Sequence, residues 1–85
     1  MSLKISTRQV GDVAILDLSG RITLGEASGS LRDAIRDLIS KGQKNIILNL
    51  AEVTYIDSSG LGELVGGFAT VSNRGGSLKL LNVQK

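Results

Sequence analysis

Strand-type and helix-type hydrophobic patterns alternate along this chain, and their order constrains the fold more than any other feature. Apolar and polar residues alternate from Leu3 to Gln9, and a second β-type run extends from Val13 to Leu18. The residues between the two runs include Gly11-Asp12, a pair that is typical of tight turns. The chain is therefore predicted to open with a β-hairpin.

A helix and a buried strand are predicted after the hairpin. Gly42 follows the helical pattern and is expected to end the helix. The mostly apolar run from Lys44 to Leu50 then predicts a strand reached through a parallel βαβ crossover. Charged residues on the other side of the helix, including Arg32, are expected to face solvent. The apolar residues at helical spacing are Ala27, Leu31, Ala34, Ile35, Leu38 and Ile39.

A second helical pattern begins at Ser58, ends near 73–76 and is followed by a last strand from Ser77 to Val83. The predicted fold is an α/β domain with the order β-β-α-β-α-β, a mixed four-stranded sheet and both helices on one face. The opposite face would expose every second residue of Val13 to Leu18, which leaves room for a homo-oligomer through that face. The apolar residues of the second helix are Leu61, Leu64, Val65, Phe68 and Val71.

The amino-acid composition excludes several kinds of functional site. The 85 residues form one domain, 1–85, without cysteine or histidine, so disulfides, thiolate metal sites and histidine bases are excluded. We predict no metal, no cofactor and no enzymatic activity. The N-terminus lacks the apolar run of a signal peptide and no segment could span a membrane, so a cytoplasmic protein is expected. Scattered basic residues and a net charge of +2 argue against direct nucleic-acid binding.

The sequence Tyr-Ile-Asp-Ser-Ser-Gly-Leu-Gly at 55–62 is the strongest candidate site. Asp57 is predicted to cap the second helix. A helix N-terminus stabilises negative charge, so it would accept a phosphate on Ser58 or Ser59 as readily as the carboxylate. Since the preceding strand is predicted to end at Leu50, an exposed loop is expected to lead up to Gly60.

Other interpretations of these residues are weaker. Gly60, Gly62 and Gly66 resemble a dinucleotide fingerprint, but they lie far from the predicted strand end, and Asn82 stands where an acid would hold the ribose. A serine nucleophile would lack a histidine base. The pair Gly66-Gly67 indicates close packing of the helix on the sheet, or else a contact surface.

The motif, the strand Ile46–Leu50, the segment Leu18–Ile22 and the order of elements resemble the STAS domain of bacterial anti-sigma factor antagonists. The resemblance implies partner switching: the domain binds an anti-sigma factor that is also a serine kinase, and phosphorylation ends the binding. It implies that Ser58 is the phosphoacceptor and that a serine phosphatase returns Ser58 to its unmodified form. It also implies that residues 22–24 lie at the edge of the partner-binding surface. The implied partner-binding residues are Asp57, Ser58, Ser59, Gly60, Leu61, Gly62 and Glu63.

Two departures from the family pattern accompany the resemblance. Family members often have an acidic residue where this chain has Thr23, and they usually continue for about two more helices, so the domain is interpreted as shortened at its C-terminus. The alternatives left open are a STAS scaffold or assembly domain without a kinase switch and a small nucleotide-binding module.

Overall fold

A computed structural model describes residues 3–23 and 25–82, without the side chains of residues 26–28. The predicted order β-β-α-β-α-β is confirmed. Three features used in the predictions lie outside the described part of the chain: Leu24, the side chain of Ala27, and Val83. The elements are β1 (Leu3–Val10), β2 (Val13–Ile22), α1 (Glu26–Ser40), β3 (Asn45–Ile56), α2 (Ser58–Asn73) and β4 (Ser77–Leu81).

The four strands form one mixed sheet in the order β1-β2-β3-β4. β1 and β2 are antiparallel and are joined at the pair Val10↔Val13, as the predicted hairpin requires. β2 and β3 are parallel, as are β3 and β4. Each helix therefore connects two neighbouring parallel strands, and the carboxyl ends of those strands meet at one edge of the sheet.

Both helices pack on the same face of the sheet, as predicted. The alternation in β2 and β3 places every second side chain under the helices, and α1 contributes residues spaced by three or four positions. Gly42, with φ of 88°, follows α1 as predicted. No helix in the described residues is long and apolar enough to cross a membrane. The core includes Ala14, Leu16, Leu18, Leu31, Ile35, Leu38, Ile46, Leu48, Leu50, Leu64, Val71 and Leu78.

The opposite face of the sheet carries a row of hydrogen-bonded polar side chains, Arg8, Asp17, Asn49 and Asn82, which we call the polar row. Arg8 Nη2 donates to Asp17 Oδ1 at 3.0 Å, and Asn49 Nδ2 donates to the same oxygen at 2.8 Å. Asn82 Nδ2 donates to Asn49 Oδ1 at 2.8 Å. The middle of this face is thus more polar than expected, and self-association through it stays a prediction.

The structure corrects the predicted end of the third strand. β3 continues to Ile56 instead of ending near Leu50, and β2 continues beside it to Ile22. Two irregularities in the pairing of these strands disturb the apolar alternation, which hid the extension in the sequence. The exposed loop expected before Gly60 is therefore wrong, and the candidate site lies directly at the end of the sheet.

Candidate functional site

Asp57 alone separates β3 from α2, and it is held by both its backbone and its side chain. Its backbone N–H donates to the Ile22 carbonyl at 3.2 Å. Its carboxylate Oδ1 accepts the Gly60 N–H at 2.7 Å, the N-cap interaction that was predicted. The start of α2 is thus fixed to the ends of two neighbouring strands, which gives the site a rigid base.

Gly60 is buried where α2 crosses the end of β2. A Cβ atom at this position would collide with the Ile22 carbonyl oxygen and lie 2.9 Å from Ile22 Cγ2. The space beside Gly60 is therefore occupied by this chain's own Ile22, which leaves no room there for a partner's backbone. At Gly62, in contrast, an added Cβ would meet nothing within 4 Å, so this glycine leaves an open surface.

The two serines of the motif point in different directions. Ser58 is exposed and Ser59 is half-buried. At about 100° per residue, Ser58 lies within about 20° of Val65 around the helix axis, whereas Ser59 lies about 40° from Glu63. The helix therefore places Ser58 beside Leu61, Gly62 and Val65, and places Ser59 with Glu63. Ser58 is the more exposed of the two serines.

Glu63 is engaged by α1. Arg32 Nε donates to Glu63 Oε1 at 3.2 Å, and a second nitrogen of the same guanidinium bonds the other oxygen. These hydrogen bonds and the positive charge of Arg32 hold the pKa of Glu63 below its ordinary value. The sequence did not reveal this partner, because the pair depends on how α1 packs against α2.

The predicted apolar stripe of α2 is divided by the structure into a buried and an exposed part. Leu64 and Val71 enter the core, but Leu61, Val65 and Phe68 are 55%, 62% and 55% exposed. This corrects the expectation that all five form one apolar stripe. The three exposed residues recur at positions i, i+4 and i+7, so they form a second stripe beside the buried one. The five residues cover an arc of about 120°, an ordinary width for a core-facing stripe, so the sequence pattern alone did not separate the two parts.

An apolar groove runs between the exposed stripe of α2 and β4. Its volume is about 190 Å³. The residues that line it are Leu61, Leu64, Val65, Phe68, Leu78 and Leu80. We call this surface the apolar groove.

Arg21 and Tyr55 form an exposed pair at the end of β2 and β3. The guanidinium carbon lies 4.9 Å from the centre of the tyrosine ring, within the range of a cation–π interaction. The two residues are directly paired in the strand register. Sequence reasoning missed them because it ended both strands too early.

Gly60, Gly62 and Gly66, which resemble a nucleotide fingerprint in the sequence, differ in their surroundings. The strand ends at Ile56, so the objection based on distance from the strand was wrong. Gly60 is nevertheless closed off by Ile22, and Gly66 lies in the third turn of the helix with open space around it. A Cβ on Gly67 would lie 2.8 Å from Ile35 Cδ1, which supports close packing at that glycine. Gly60 and Gly67 thus allow close packing, whereas Gly62 and Gly66 lie in open space.

The structure is thus a small α/β domain with a mixed sheet, two helices on one face, and an exposed serine beside an aspartate that caps the second helix. The STAS domain family model matches residues 4–85. The chain belongs to the STAS domain family, as its motif suggested.

Relatives of known name agree with this assignment. The chain is 33% identical over 85 residues to the anti-sigma-B factor antagonist of Bacillus subtilis, covering all of this chain and 76% of the relative. It is 30% identical over 84 residues to the anti-sigma F factor antagonist of Paenibacillus polymyxa, covering 98% of this chain and 71% of the relative. The chain thus spans about three-quarters of the length of these relatives.

A solved structure shows the same fold. The anti-sigma factor antagonist SpoIIAA in its unphosphorylated form is 25% identical, with a TM-score of 0.80 over 96% of this chain and 76% of its own. Its phosphorylated form gives a TM-score of 0.78 at 25% identity, over 95% of this chain and 74% of its own. The fold of this chain is therefore similar to both states of that protein.

Proposed function

We propose that this chain is an anti-sigma factor antagonist. It binds an anti-sigma factor that is also a serine kinase, and it loses affinity when Ser58 is phosphorylated. Its role is binding rather than catalysis. The observation that carries the proposal is the exposed Ser58 at the first position of α2, directly after the capping Asp57. The names of the two curated relatives support the choice of partner.

The surface around Ser58 suits a partner that recognises the unmodified serine. Leu61 and Val65 are more than half exposed, and Gly62 adds no side chain between them. Apolar side chains that become buried on binding contribute most of the free energy of association. A neutral hydroxyl next to them can be buried by a partner that offers it a hydrogen bond.

Phosphorylation changes this surface without requiring the domain to unfold. The phosphate adds about −1.5 to −2 charges beside the Asp57 carboxylate. The N-terminus of α2 stabilises an anion, so the folded domain tolerates the modification. A partner surface fitted to a neutral serine instead meets added charge and a tightly hydrated group. Removal of the phosphate by a serine phosphatase would restore binding.

The proposal is tested by capturing partners from a lysate of the source organism with four forms of the chain: the wild type, Ser58→Asp, Ser59→Asp and Ser58→Ala. We expect the wild type and Ser59→Asp to retain a serine kinase, and Ser58→Asp to lose it. Ser59→Asp is the matched control, because it adds the same charge one residue away, on the side that faces α1. ATP added to the captured complex should then phosphorylate the wild type at Ser58 and leave Ser58→Ala unmodified, as read by mass spectrometry.

Two results would contradict the switch. If the wild type and Ser58→Asp retain the same proteins, Ser58 does not control binding, and the scaffold interpretation takes its place. If no form retains a kinase, the chain is not an antagonist of this type.

A further inference from the structure

A second groove lies between α1 and α2, on the side of α2 that faces away from Ser58. Its volume is about 150 Å³. Around the axis of α2, Glu63 lies about 140° and Thr70 about 120° from Ser58, and Thr70 is about 18 Å further along the helix. The groove is therefore separate from the surface around Ser58. We call it the interhelix groove, and its lining includes Arg32, Arg36, Glu63, Gly66, Gly67 and Thr70.

Gly66 keeps the interhelix groove open. Glycine is unfavourable inside a helix, so each member of the pair Gly66-Gly67 needs a structural reason. Gly67 has one, because a Cβ there would lie 2.8 Å from Ile35 Cδ1. A Cβ on Gly66 would meet nothing within 4 Å, so packing within the described chain does not explain this glycine. The alternative interpretation of the pair, a contact surface, therefore applies at Gly66.

The described lining of the groove carries two positive charges and one negative charge. Arg32 and Arg36 lie one turn apart on α1, and Glu63 lies on α2. Hydrogen bonds from Arg32 are the main cause of the lowered pKa of Glu63, and the charges of Arg32 and Arg36 add to it. The neighbouring acids Asp33 and Asp37 do not belong to this lining, and Asp37 has an ion pair of its own. The excess of positive charge favours an anion as the ligand.

The two arginines offer hydrogen-bond donors that the described chain does not use. Arg32 donates to Glu63 through Nε and Nη2, which orients its guanidinium and leaves Nη1. The side chain of Arg36 makes no hydrogen bond or ion pair with another described residue, so its N–H groups are available. Guanidinium groups bind phosphate and carboxylate oxygens through paired N–H donors. We infer that the interhelix groove binds a small oxyanion, held by Arg36 and by the remaining edge of Arg32.

The size of the groove limits the ligand. Sites for drug-sized ligands measure ~300–1,000 Å³, at least about twice the volume of this groove. A whole nucleotide is therefore too large, whereas an ion of the size of phosphate fits. The Thr70 hydroxyl donates to the Gly66 carbonyl at 2.9 Å, so the arginines supply the donors to the anion. Because both arginines are exposed to water and salt, we expect a dissociation constant in the millimolar range.

Titration of the 85-residue chain with inorganic phosphate, followed by amide NMR spectra at constant ionic strength, tests the inference. We expect saturable shifts at residues 32–36 and 63–70. Arg36→Gln should weaken binding about tenfold or more, because it removes the unpaired guanidinium. Lys79→Gln is the matched control, since it removes an exposed positive charge from the opposite face of the sheet. Gly66→Leu places a side chain in the groove and should block binding, while circular dichroism checks that each variant remains folded.

Each outcome decides the matter. Saturable binding that Arg36→Gln weakens, Gly66→Leu blocks and Lys79→Gln leaves unchanged supports the inference. The absence of shifts around the groove overturns it. Shifts that do not saturate, or that Arg36→Gln and Lys79→Gln reduce equally, overturn it as well, because they report a general attraction of anions to a basic chain. Binding that survives Gly66→Leu also overturns it, since the anion must then lie outside the groove.

Discussion

Replacing Gly60 with alanine is the sharpest test of how the site is built. The new Cβ would collide with backbone, the Ile22 carbonyl oxygen, and backbone cannot move aside as a flexible side chain can. Overpacking of this kind costs about 1–3 kcal/mol. Any shift of α2 also weakens the Asp57 cap, which is worth about 1 kcal/mol. Alanine recovers about 1 kcal/mol through its higher helix propensity. The net expectation is a loss of about 2 kcal/mol.

Gly62→Ala is the matched control, since Gly62 lies in the same helix and a Cβ there would have nothing within 4 Å. It should raise the free energy of unfolding by about 0.5–1 kcal/mol. For a domain of this size, each 1 kcal/mol shifts the melting temperature by about 4–8 °C. Urea and thermal unfolding should thus move the two variants in opposite directions. Equal shifts in one direction would refute the packing argument for Gly60.

Two further predictions concern the electrostatics of α2. Asp57→Ala should lower the free energy of unfolding by about 1 kcal/mol in urea titrations, through the loss of the cap to Gly60; an unchanged midpoint would show that the cap contributes nothing. The pKa of Glu63 is lowered in the folded chain by Arg32, so the pairing stabilises the fold above the ordinary carboxyl pKa and is lost as the pH falls through the folded value. The difference in melting temperature between Glu63→Gln and wild type should therefore shrink as the pH is lowered from about 7 to about 3. A difference that stays constant with pH would contradict the role of the pair.

Much of the fold could be predicted because strong local patterns agree with the topology. The alternation in β1 and β2, the helical spacing in α1 and the apolar run in β3 each indicated one element. The rules for short right-handed crossovers then left few arrangements. The ends of β2 and β3 could not be predicted, because the irregular register after Asp17 breaks the alternation on which the prediction depended.

The site was predictable in its location but only partly in its geometry. Asp57 was identified as an N-cap from residue type and position alone. The burial of Gly60 against Ile22 and the pairing of Arg32 with Glu63 depend on contacts between residues distant in sequence, which no local pattern encodes. The exposure of Phe68 depends on what packs beside α2, and periodicity alone does not determine that.

The polar row has a consequence for how the strands find their alignment. Its members come from β1, β2, β3 and the residue after β4; the link from Arg8 to Asp17 spans the hairpin, and the other two links join residues more than 30 positions apart. A slip of one strand by a single residue would turn its member to the other face and break the row. The polar row therefore favours the native register over misaligned sheets, in which its hydrogen bonds are lost. Because these residues lie on the face opposite the helices, the strand register is specified without any contribution from the surface that surrounds Ser58.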